Sequence, residues 1–205
     1  MKQVSLDEVL HMANNARENL YEQATSRGYD APRVYVHWTA GHYGQLYLND
    51  YHIAIDADGS IWAEKELDVT LAHTWRRNTG GVGLTMACAC GADTEDLGDE
   101  PPTPAQIEVM AQVIAKVAEG LWLTIDKKHI LTHGEAADNE DGVHAHEPYG
   151  PKSTVERWDL EYLGTPESPS YNPWATDGSR GGDVLRGKAN FYRNKWRQEA
   201  NENDR

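Results

Sequence analysis

The stretch VYVHWTAG, residues 34–41, decides the fold of this 205-residue chain. Valine and aromatic residues fill its first half and predict a buried strand. The run nevertheless reaches His37 and, after one tryptophan, continues in small residues. A buried imidazole needs a partner, which is either a hydrogen-bonding group or a metal ion. We therefore expect this strand to carry a functional side chain to one edge of a sheet.

Two long helices are predicted from their N-terminal signals. Ser5 and Glu8 match a capping box, and apolar residues then recur at helical spacing, which predicts a helix over residues 6–26. Thr103 is followed by proline and by Gln106 at the third helical position, which predicts the start of a second helix. The apolar residues of this second helix predict one buried face.

Short runs of β-branched residues between the helices predict further strands. The turn signal DADG, residues 56–59, separates two of them and predicts a β-hairpin. Residues 154–163 are predicted to be ordered and partly helical. The predicted strands cover residues 34–37, 51–55, 60–63 and 82–89, and a last short strand within residues 125–132 leads to His133.

The composition excludes several classes of protein. The formal net charge of −14 argues against a nucleic-acid partner, because the phosphate backbone would repel the chain. No apolar run approaches the roughly 18 residues of a membrane span. The start MKQVSLDEVL lacks the apolar core of a secretory signal, so we expect synthesis in the cytoplasm without a signal peptide. Cys88 and Cys90 are interpreted as small core residues of a reduced chain.

The chain is predicted to fall into three parts. Residues 1–163 form one globular domain, and residues 164–182 are rich in proline, serine and glycine and indicate a linker. Residues 183–205 form a basic segment with a short helical pattern. This segment has two interpretations: a helix that makes weak contact with an anionic envelope surface, or a helix that packs back on the acidic domain.

His37 and His133 are candidate metal ligands, since each stands at the end of a predicted strand. Strand ends that meet at one edge of a sheet converge, and two imidazoles suit zinc, copper, iron or nickel. A third oxygen or sulfur ligand would leave one position open for water, as in hydrolytic zinc sites. Taken singly, a histidine at a strand end is more often a hydrogen-bonded structural residue.

Five segments resemble, in the same order, segments of the zinc-dependent N-acetylmuramoyl-L-alanine amidases related to phage lysozyme-type amidases and peptidoglycan recognition proteins. The resemblance runs from about residue 33 to residue 163. It implies an α/β fold with a central mixed β-sheet flanked by helices, here with a short C-terminal extension, and a catalytic domain within residues 1–163. The segments are VYVHWTAG, YHIAIDADGSIW, LAHTWRRNTGGVGLTM, PTPAQIEVMAQVI and LTHGEAA.

The resemblance implies a Zn²⁺ cofactor held by His37, His133 and Asp159. The third ligand of the family is a cysteine or aspartate with a basic residue two positions earlier, and Arg157 precedes Asp159 in this way. Arg157 stands where the family often has lysine. It stays charged and donates no proton, but it could stabilise negative charge that develops in the reaction. The long interval before Asp159 offers alternative ligands, namely Asp138, Asp141, His144, His146 and Glu147.

The resemblance also implies catalytic roles for two side chains outside the ligand set. Tyr51 matches the active-site tyrosine of the family. Ala87 stands where some members carry a general-base glutamate, so either another group helps to move protons or the metal-bound hydroxide acts with little assistance. Glu135, two residues after His133, is the second candidate for that role, and an equal alternative is that it orients the His133 ring.

Substrate contacts are implied for one further segment. His73 matches a family position that lines the substrate groove, and Trp75 and Asn78 are predicted to contact the glycan or the peptide stem. The alternative for all three is an ordinary role in a loop.

The implied activity is hydrolysis, by a zinc-activated water, of the amide bond between N-acetylmuramic acid and the L-alanine of the stem peptide. The implied partner is peptidoglycan, so the protein would act on the cell wall, as a phage or prophage endolysin does. Two alternatives stay open. One is a non-catalytic peptidoglycan-binding module, which would lack the third ligand, and the other is a zinc peptidase that cuts within the stem peptide.

Overall fold

The structure of the protein, a computed structural model, describes residues 1–142 and 149–203. These residues form one mixed β-sheet with helices packed against it, which confirms the predicted α/β fold. The elements are β1 (Lys2–Gln3), α1 (Leu6–Ser26), β2 (Arg33–Trp38), β3 (Ile53–Ile55), β4 (Ile61–Ala63), β5 (Gly81–Met86), α2 (Pro104–Gly120), β6 (Ile130–Thr132), α3 (His133–Ala137) and α4 (Gly181–Asn203).

Strand β2 lies at the centre of the parallel part of the sheet, between β5 and β6. All of its residues are buried, and a strand that is covered on both faces has the continuous apolar pattern seen here. β3 runs parallel to β5 and antiparallel to β4, so the predicted hairpin is confirmed. The strand order is β1-β4-β3-β5-β2-β6. Because β2, β5 and β6 are parallel, their carboxyl ends meet at one edge.

Helices α1 and α2 begin at capping boxes, as predicted. Ser5 accepts a hydrogen bond from the Glu8 amide, and α1 has the predicted bounds. Thr103 accepts the corresponding bond from the amide of Gln106. The buried side chain of Gln106 also donates to the carbonyl of Ala87 (2.9 Å), which ties the start of α2 to the sheet. None of the described helices combines the length and the apolar character needed to cross a bilayer.

The chain around His133 turns from strand into helix earlier than predicted. β6 ends at Thr132, whose hydroxyl accepts a hydrogen bond from the Glu135 amide and caps the short helix α3. His133 is therefore the first residue of a helix and not the last residue of a strand. β3 likewise covers only the last three residues of the predicted strand 51–55, so Tyr51 precedes it.

Residues 154–163 form turns, and the prediction that they are partly helical is wrong. The amides of Ser153, Thr154 and Val155 all bind the carbonyl of Gly150. Val155 and Leu160 have φ angles of 54° and 62°. A side chain in this left-handed region interrupts a right-handed helix.

The two cysteines differ in environment. Both are free thiols, and Cys88 is buried whereas Cys90 is partly exposed. β5 ends at Met86, and Ala89 between the cysteines has a positive φ of 69°, so the strand predicted over residues 82–89 ends before both cysteines. The prediction of a core role is therefore correct for Cys88 only.

Helix α4 packs along α2. Lys188 and Tyr192 both bind the carboxylate of Glu108, and Arg193 donates to the carbonyl of Leu123 (2.8 Å). Because these side chains are engaged in internal contacts, the structure favours the interpretation of a helix packed on the acidic domain over that of a helix in contact with an envelope surface. The division of the chain at residues 163 and 182 stays a prediction.

Candidate metal centre and active-site cleft

His37 lies on the face of the sheet opposite the main hydrophobic core. Val34 and Val36 of β2 point into that core, whereas Tyr35 packs in a separate small cluster. Side chains alternate along a strand, so His37 shares the face of Tyr35. Its imidazole is fully buried there. A buried imidazole needs a polar partner, so the neighbours of this ring decide its role.

The three predicted ligands meet at one point. Nδ1 of His37 and Nδ1 of His133 are 3.1 Å apart. Oδ2 of Asp159 lies 3.4 Å from each of these two nitrogens. The three donor atoms, one from the end of β2, one from the start of α3 and one from the turns before residue 163, have the spacing of a metal site.

The spacing fits a zinc ion. Zinc binds imidazole nitrogen and carboxylate oxygen at about 2.0–2.2 Å with tetrahedral geometry, so neighbouring donors should lie about 3.3 Å apart. The observed separations of 3.1 Å and 3.4 Å agree with this distance. Catalytic zinc sites use three protein ligands of these kinds and keep a fourth position for water or substrate. The residues therefore fit the predicted cofactor.

The protonation states of the cluster also suit a cation. Burial lowers the pKa of His37 to about 4, although Asp159 opposes the shift. Burial alone would raise the pKa of Asp159, but the imidazoles of His133 and His37 outweigh it and hold this pKa well below its usual range. At neutral pH the site therefore offers a neutral His37 imidazole and a carboxylate, which are the forms that bind metal ions.

Thr74 is a site residue that sequence reasoning missed. Its hydroxyl lies 3.3 Å from Nε2 of His37 and 2.8 Å from Nδ1 of His73. The hydroxyl therefore bridges the predicted ligand and the histidine predicted to line the groove. No motif marks a threonine for this role, because the bridge depends on two rings that approach from different segments.

His73 forms the floor of the cleft beneath Thr74. Its side chain is 6% exposed, and the ring lies against β5 at Gly83. A Cβ atom at Gly83 would lie 2.7 Å from two ring atoms of His73, so only glycine leaves room for the imidazole at this position. His73 therefore lies at the cleft with its ring mostly covered, and its contact with a substrate stays a prediction.

Tyr51 lies beside the ligand cluster. Its ring centroid is 5.0 Å from that of His37. Burial, assisted by the nearby Asp159, raises the pKa of Tyr51 well above its usual range, so the phenol keeps its proton at neutral pH. Arg157 is 48% exposed and lines the same cleft, where it contributes a permanent positive charge.

An open cleft of about 1300 Å³ lies above these residues. Two arginines, Arg76 and Arg157, stand on its walls together with Glu156. The size suits a substrate larger than a small metabolite, since ordinary small-molecule pockets measure about 300–1,000 Å³. The lining also includes Trp38, Thr39, Ala40, Tyr51, Ala72, His73, Thr74, Trp75, Asn78, His133, Tyr149, Thr154 and Asp159.

A sequence profile of the N-acetylmuramoyl-L-alanine amidase family matches residues 9–148. The chain belongs to this family. The matched range includes the predicted ligands His37 and His133 and ends before Asp159. No curated protein sequence matches the chain.

Several solved structures show partial similarity to this amidase-family chain. The endolysin amidase LysCS from Clostridium intestinale is 14% identical over 60% of this chain and 78% of that chain, with a TM-score of 0.40. Drosophila PGRP-LB is 18% identical over 63% of this chain and 84% of that chain, with a TM-score of 0.39. Drosophila PGRP-SD is 15% identical over 62% and 80% of the two chains, with a TM-score of 0.40.

Glu135 lies in a buried ion pair with Arg186 and is not among the residues that line the cleft. Its carboxylate is 1% exposed, and Arg186 of α4 donates to its two oxygens at 2.7 Å and 2.8 Å. One of these oxygens also accepts the amide of Thr132 (3.0 Å). Both oxygens are thus occupied, and this arrangement argues against the predicted proton transfer by Glu135 and against direct orientation of His133.

Trp75 and Asn78 differ in what they offer to a substrate. The Trp75 side chain is 56% exposed at the cleft. The Asn78 oxygen instead accepts the amides of His73 (3.1 Å) and Thr74 (2.8 Å) and so fixes the loop that carries them. Substrate contact by these residues of the amidase family member stays a prediction.

The alternative ligands Asp138 and Asp141 do not join the metal cluster. Arg77 binds both oxygens of Asp141, at 2.7 Å and 2.9 Å. One oxygen of Asp138 accepts the amide of Lys152 (3.3 Å). The other three alternatives, His144, His146 and Glu147, lie outside the described residues.

Proposed function

We propose that this chain is a zinc-dependent N-acetylmuramoyl-L-alanine amidase that hydrolyses the amide bond between N-acetylmuramic acid and L-alanine in peptidoglycan. The observation that carries the proposal is the convergence of His37, His133 and Asp159 below an open cleft. When bound, zinc would polarise the amide carbonyl and supply an activated water. The other steps depend on side chains of this chain.

Tyr51 and Arg157 would act on the charge that develops during hydrolysis. As the amide carbon becomes tetrahedral, its oxygen gains negative charge, and hydrogen-bond donors and cations in a preformed site lower that barrier. Tyr51 is protonated at neutral pH because its pKa is raised. It can therefore donate a hydrogen bond, and it also holds a proton for the leaving amine. Arg157 adds positive charge from the wall of the cleft.

The cleft suits a ligand with both sugar and peptide parts. Arg76 and Arg157 place positive charge here, although the chain has a formal net charge of −14. This charge would attract the carboxylates of a stem peptide and favour its orientation in the cleft. The exposed ring of Trp75 offers an apolar face against which a sugar or a peptide side chain can pack.

Asp159 favours hydrolysis over binding alone. A module that only binds peptidoglycan needs no complete ligand set, and here the carboxylate lies 3.4 Å from both histidine nitrogens. A zinc peptidase that cuts within the stem peptide would use the same centre, so the products must distinguish it from an amidase. The wider role as a phage or prophage endolysin that acts on the cell wall stays a prediction.

Digestion of purified peptidoglycan tests this function. The zinc-loaded protein should release intact stem peptides and leave uncut glycan strands, as measured by mass spectrometry. His37→Ala should lose both the metal and the activity, whereas His11→Ala, a change of an exposed histidine on α1, should keep both. If the products contain shortened stem peptides, the protein is a peptidase and not an amidase. If the protein binds peptidoglycan tightly and releases no product, it is a binding module and not a hydrolase.

A further inference from the structure

A second cluster of reactive side chains lies outside the proposed metal centre. The Sγ atom of Cys90 is 3.5 Å from Nε2 of His42. On the other side of the same ring, Nδ1 of His42 is 3.3 Å from Oε2 of Glu100. Cys90 is partly exposed, and the His42 side chain is 62% exposed, so the cluster is accessible to small reagents.

The backbone holds the three residues in place. Gly41 and Ala89, which immediately precede His42 and Cys90, form a parallel β-bridge. The amide of Ala89 donates to the carbonyl of Glu100 (2.7 Å), so the third segment is bound to the second. The carboxylate of Glu100 is itself fixed, because it accepts the amide of Tyr43 at 2.7 Å.

The order of the contacts matches an activated nucleophile and not a metal site. A carboxylate accepts hydrogen bonds only, so the Glu100 carboxylate 3.3 Å away favours the His42 tautomer with the proton on Nδ1. Nε2 then presents its lone pair to the thiol of Cys90 and can accept the thiol proton. Because Cys90 and Glu100 face opposite nitrogens of one ring, a single metal ion cannot bind all three side chains. A nucleophile, a base and a group that orients the base are the parts of an activated thiol.

We propose that Cys90 is a reactive thiol, activated by His42 and Glu100, that undergoes exchange with small disulfides. Nε2 of His42 takes the proton of the thiol. The resulting thiolate attacks one sulfur of the disulfide, forms a mixed disulfide with Cys90, and releases the other sulfur as a thiolate, which takes a proton from His42 or water. The step consumes one disulfide and needs no further oxidant. This modification site is independent of the proposed amidase function.

Cys88 provides an internal comparison within the same segment. It is fully buried. Burial, with a smaller contribution from Asp159, raises the pKa of the Cys88 thiol well above its usual range, which keeps it protonated and inert. Two cysteines one residue apart are therefore expected to differ in reactivity, and replacement of Cys88 by alanine leaves one thiol to observe.

Rapid mixing of the Cys88→Ala protein with 4,4′-dithiodipyridine, an uncharged disulfide, tests the proposal. The uncharged reagent avoids repulsion by the acidic chain. We expect Cys90 in the folded protein to react faster than in the urea-unfolded chain, even though folding partly covers it. In the folded protein, His42→Gln and Glu100→Gln should each lower the rate of reaction of Cys90 with the reagent by about threefold or more, since they remove the base and the group that orients it. Both amides preserve hydrogen bonding, and circular dichroism checks the fold.

Three results would overturn the proposal. The first is a folded protein that reacts more slowly than the unfolded chain, which is what shielding of an ordinary thiol gives. The second is an equal rate in folded wild-type and His42→Gln proteins. The third is a fast reaction that survives in Cys90→Ser on the background with Cys88 intact. With oxidised glutathione as the reagent, mass spectrometry should find the adduct on the peptide that contains Cys90.

Discussion

The hydroxyl of Thr74 lies 3.3 Å from Nε2 of His37, on the opposite side of the ring from the Nδ1 atom that faces His133 and Asp159. A hydrogen bond at this nitrogen fixes the ring orientation and leaves Nδ1 free to bind a cation. The contact therefore links a residue outside the three candidate ligands to the proposed binding of the metal.

Thr74→Val should weaken zinc binding, because it removes the hydroxyl that orients His37 and keeps the side-chain shape. Loss of such a partner lowers metal affinity by about 10- to 100-fold. Competition with a chelator measures the affinity, and Thr74→Ser should restore most of it. Thr85→Val is the matched control: Thr85 pairs with His37 across β2 and β5, and its buried hydroxyl has no hydrogen-bond partner among the described residues. An equal affinity in Thr74→Val and wild type would remove the positioning role.

Tyr51→Phe should lower kcat on peptidoglycan by about 10- to 100-fold, because it removes one donor to the developing negative charge. Zinc content should not change, since the tyrosine is not part of the ligand set. Steady-state kinetics on soluble muropeptides, with metal analysis of the same sample, checks both statements. Tyr47→Phe serves as the control, because the Tyr47 hydroxyl is bound to Gln45 on an exposed side chain. Unchanged kcat in Tyr51→Phe would assign proton and charge handling to other groups.

Glu135→Gln should reduce stability and spare catalysis. Arg186 would lose its buried counter-ion, and breaking one side of a buried pair costs about 3 kcal/mol of unfolding free energy. The activity of the folded fraction should stay within about twofold of wild type, since the carboxylate is not at the reacting centre. Urea unfolding and activity assays on one preparation separate the two effects. Glu119→Gln, which removes an exposed pair with Arg197, should cost less than about 1 kcal/mol. A stable Glu135→Gln protein with no activity would restore the catalytic role.

Glu140 should make the stability of the fold depend on pH in the acidic range. Burial alone would raise the pKa of Glu140, but hydrogen bonds from Lys152 and Arg180 lower it to about 2. In the unfolded chain a glutamate has a pKa of about 4.3. The stabilisation of the fold by the Glu140 carboxylate is therefore fully present above that pH and is lost as the pH falls toward 2.

The measurement for this site is the difference in unfolding free energy between wild type and Glu140→Gln, for the metal-free proteins, at a series of pH values. The difference should be about 2 kcal/mol near pH 7 and should disappear near pH 2. Glu199→Gln, whose exposed carboxylate pairs with Lys195, should show little difference at any pH. A constant difference across the range would mean that Glu140 acts through packing and not through its charge.

The helix starts and the place of His37 in the sheet could be predicted from the sequence for local reasons. Ser5 and Thr103 mark the starts of α1 and α2, because a capping box forms between residues three positions apart and can be recognised from that spacing. His37 could be placed at the edge of the sheet because β-branched residues before it predict a strand. Asp159 was accessible through a resemblance to a family pattern and not through any regular periodicity in residues 154–163.

The remaining features depend on contacts between distant segments. Glu135 meets Arg186 across 51 positions of sequence, and an isolated carboxylate two residues after a ligand gives no sign of that partner. Thr74 was missed for the same reason, since both of its ring contacts require the folded sheet. Leu160 adopts a positive φ, which leucine disfavours. The residue type at this position therefore does not indicate the turn.

The ion pair between Arg186 and Glu135 also bears on the order in which the chain can fold during synthesis. Glu135 belongs to the same short helix as His133, and its charge is neutralised by a residue of α4, which is synthesised later. Until that helix emerges, burial of the Glu135 carboxylate is opposed by the loss of its hydration. In the nascent chain, packing around Glu135 and the neighbouring His133 should therefore be complete only after Arg186 has left the ribosome.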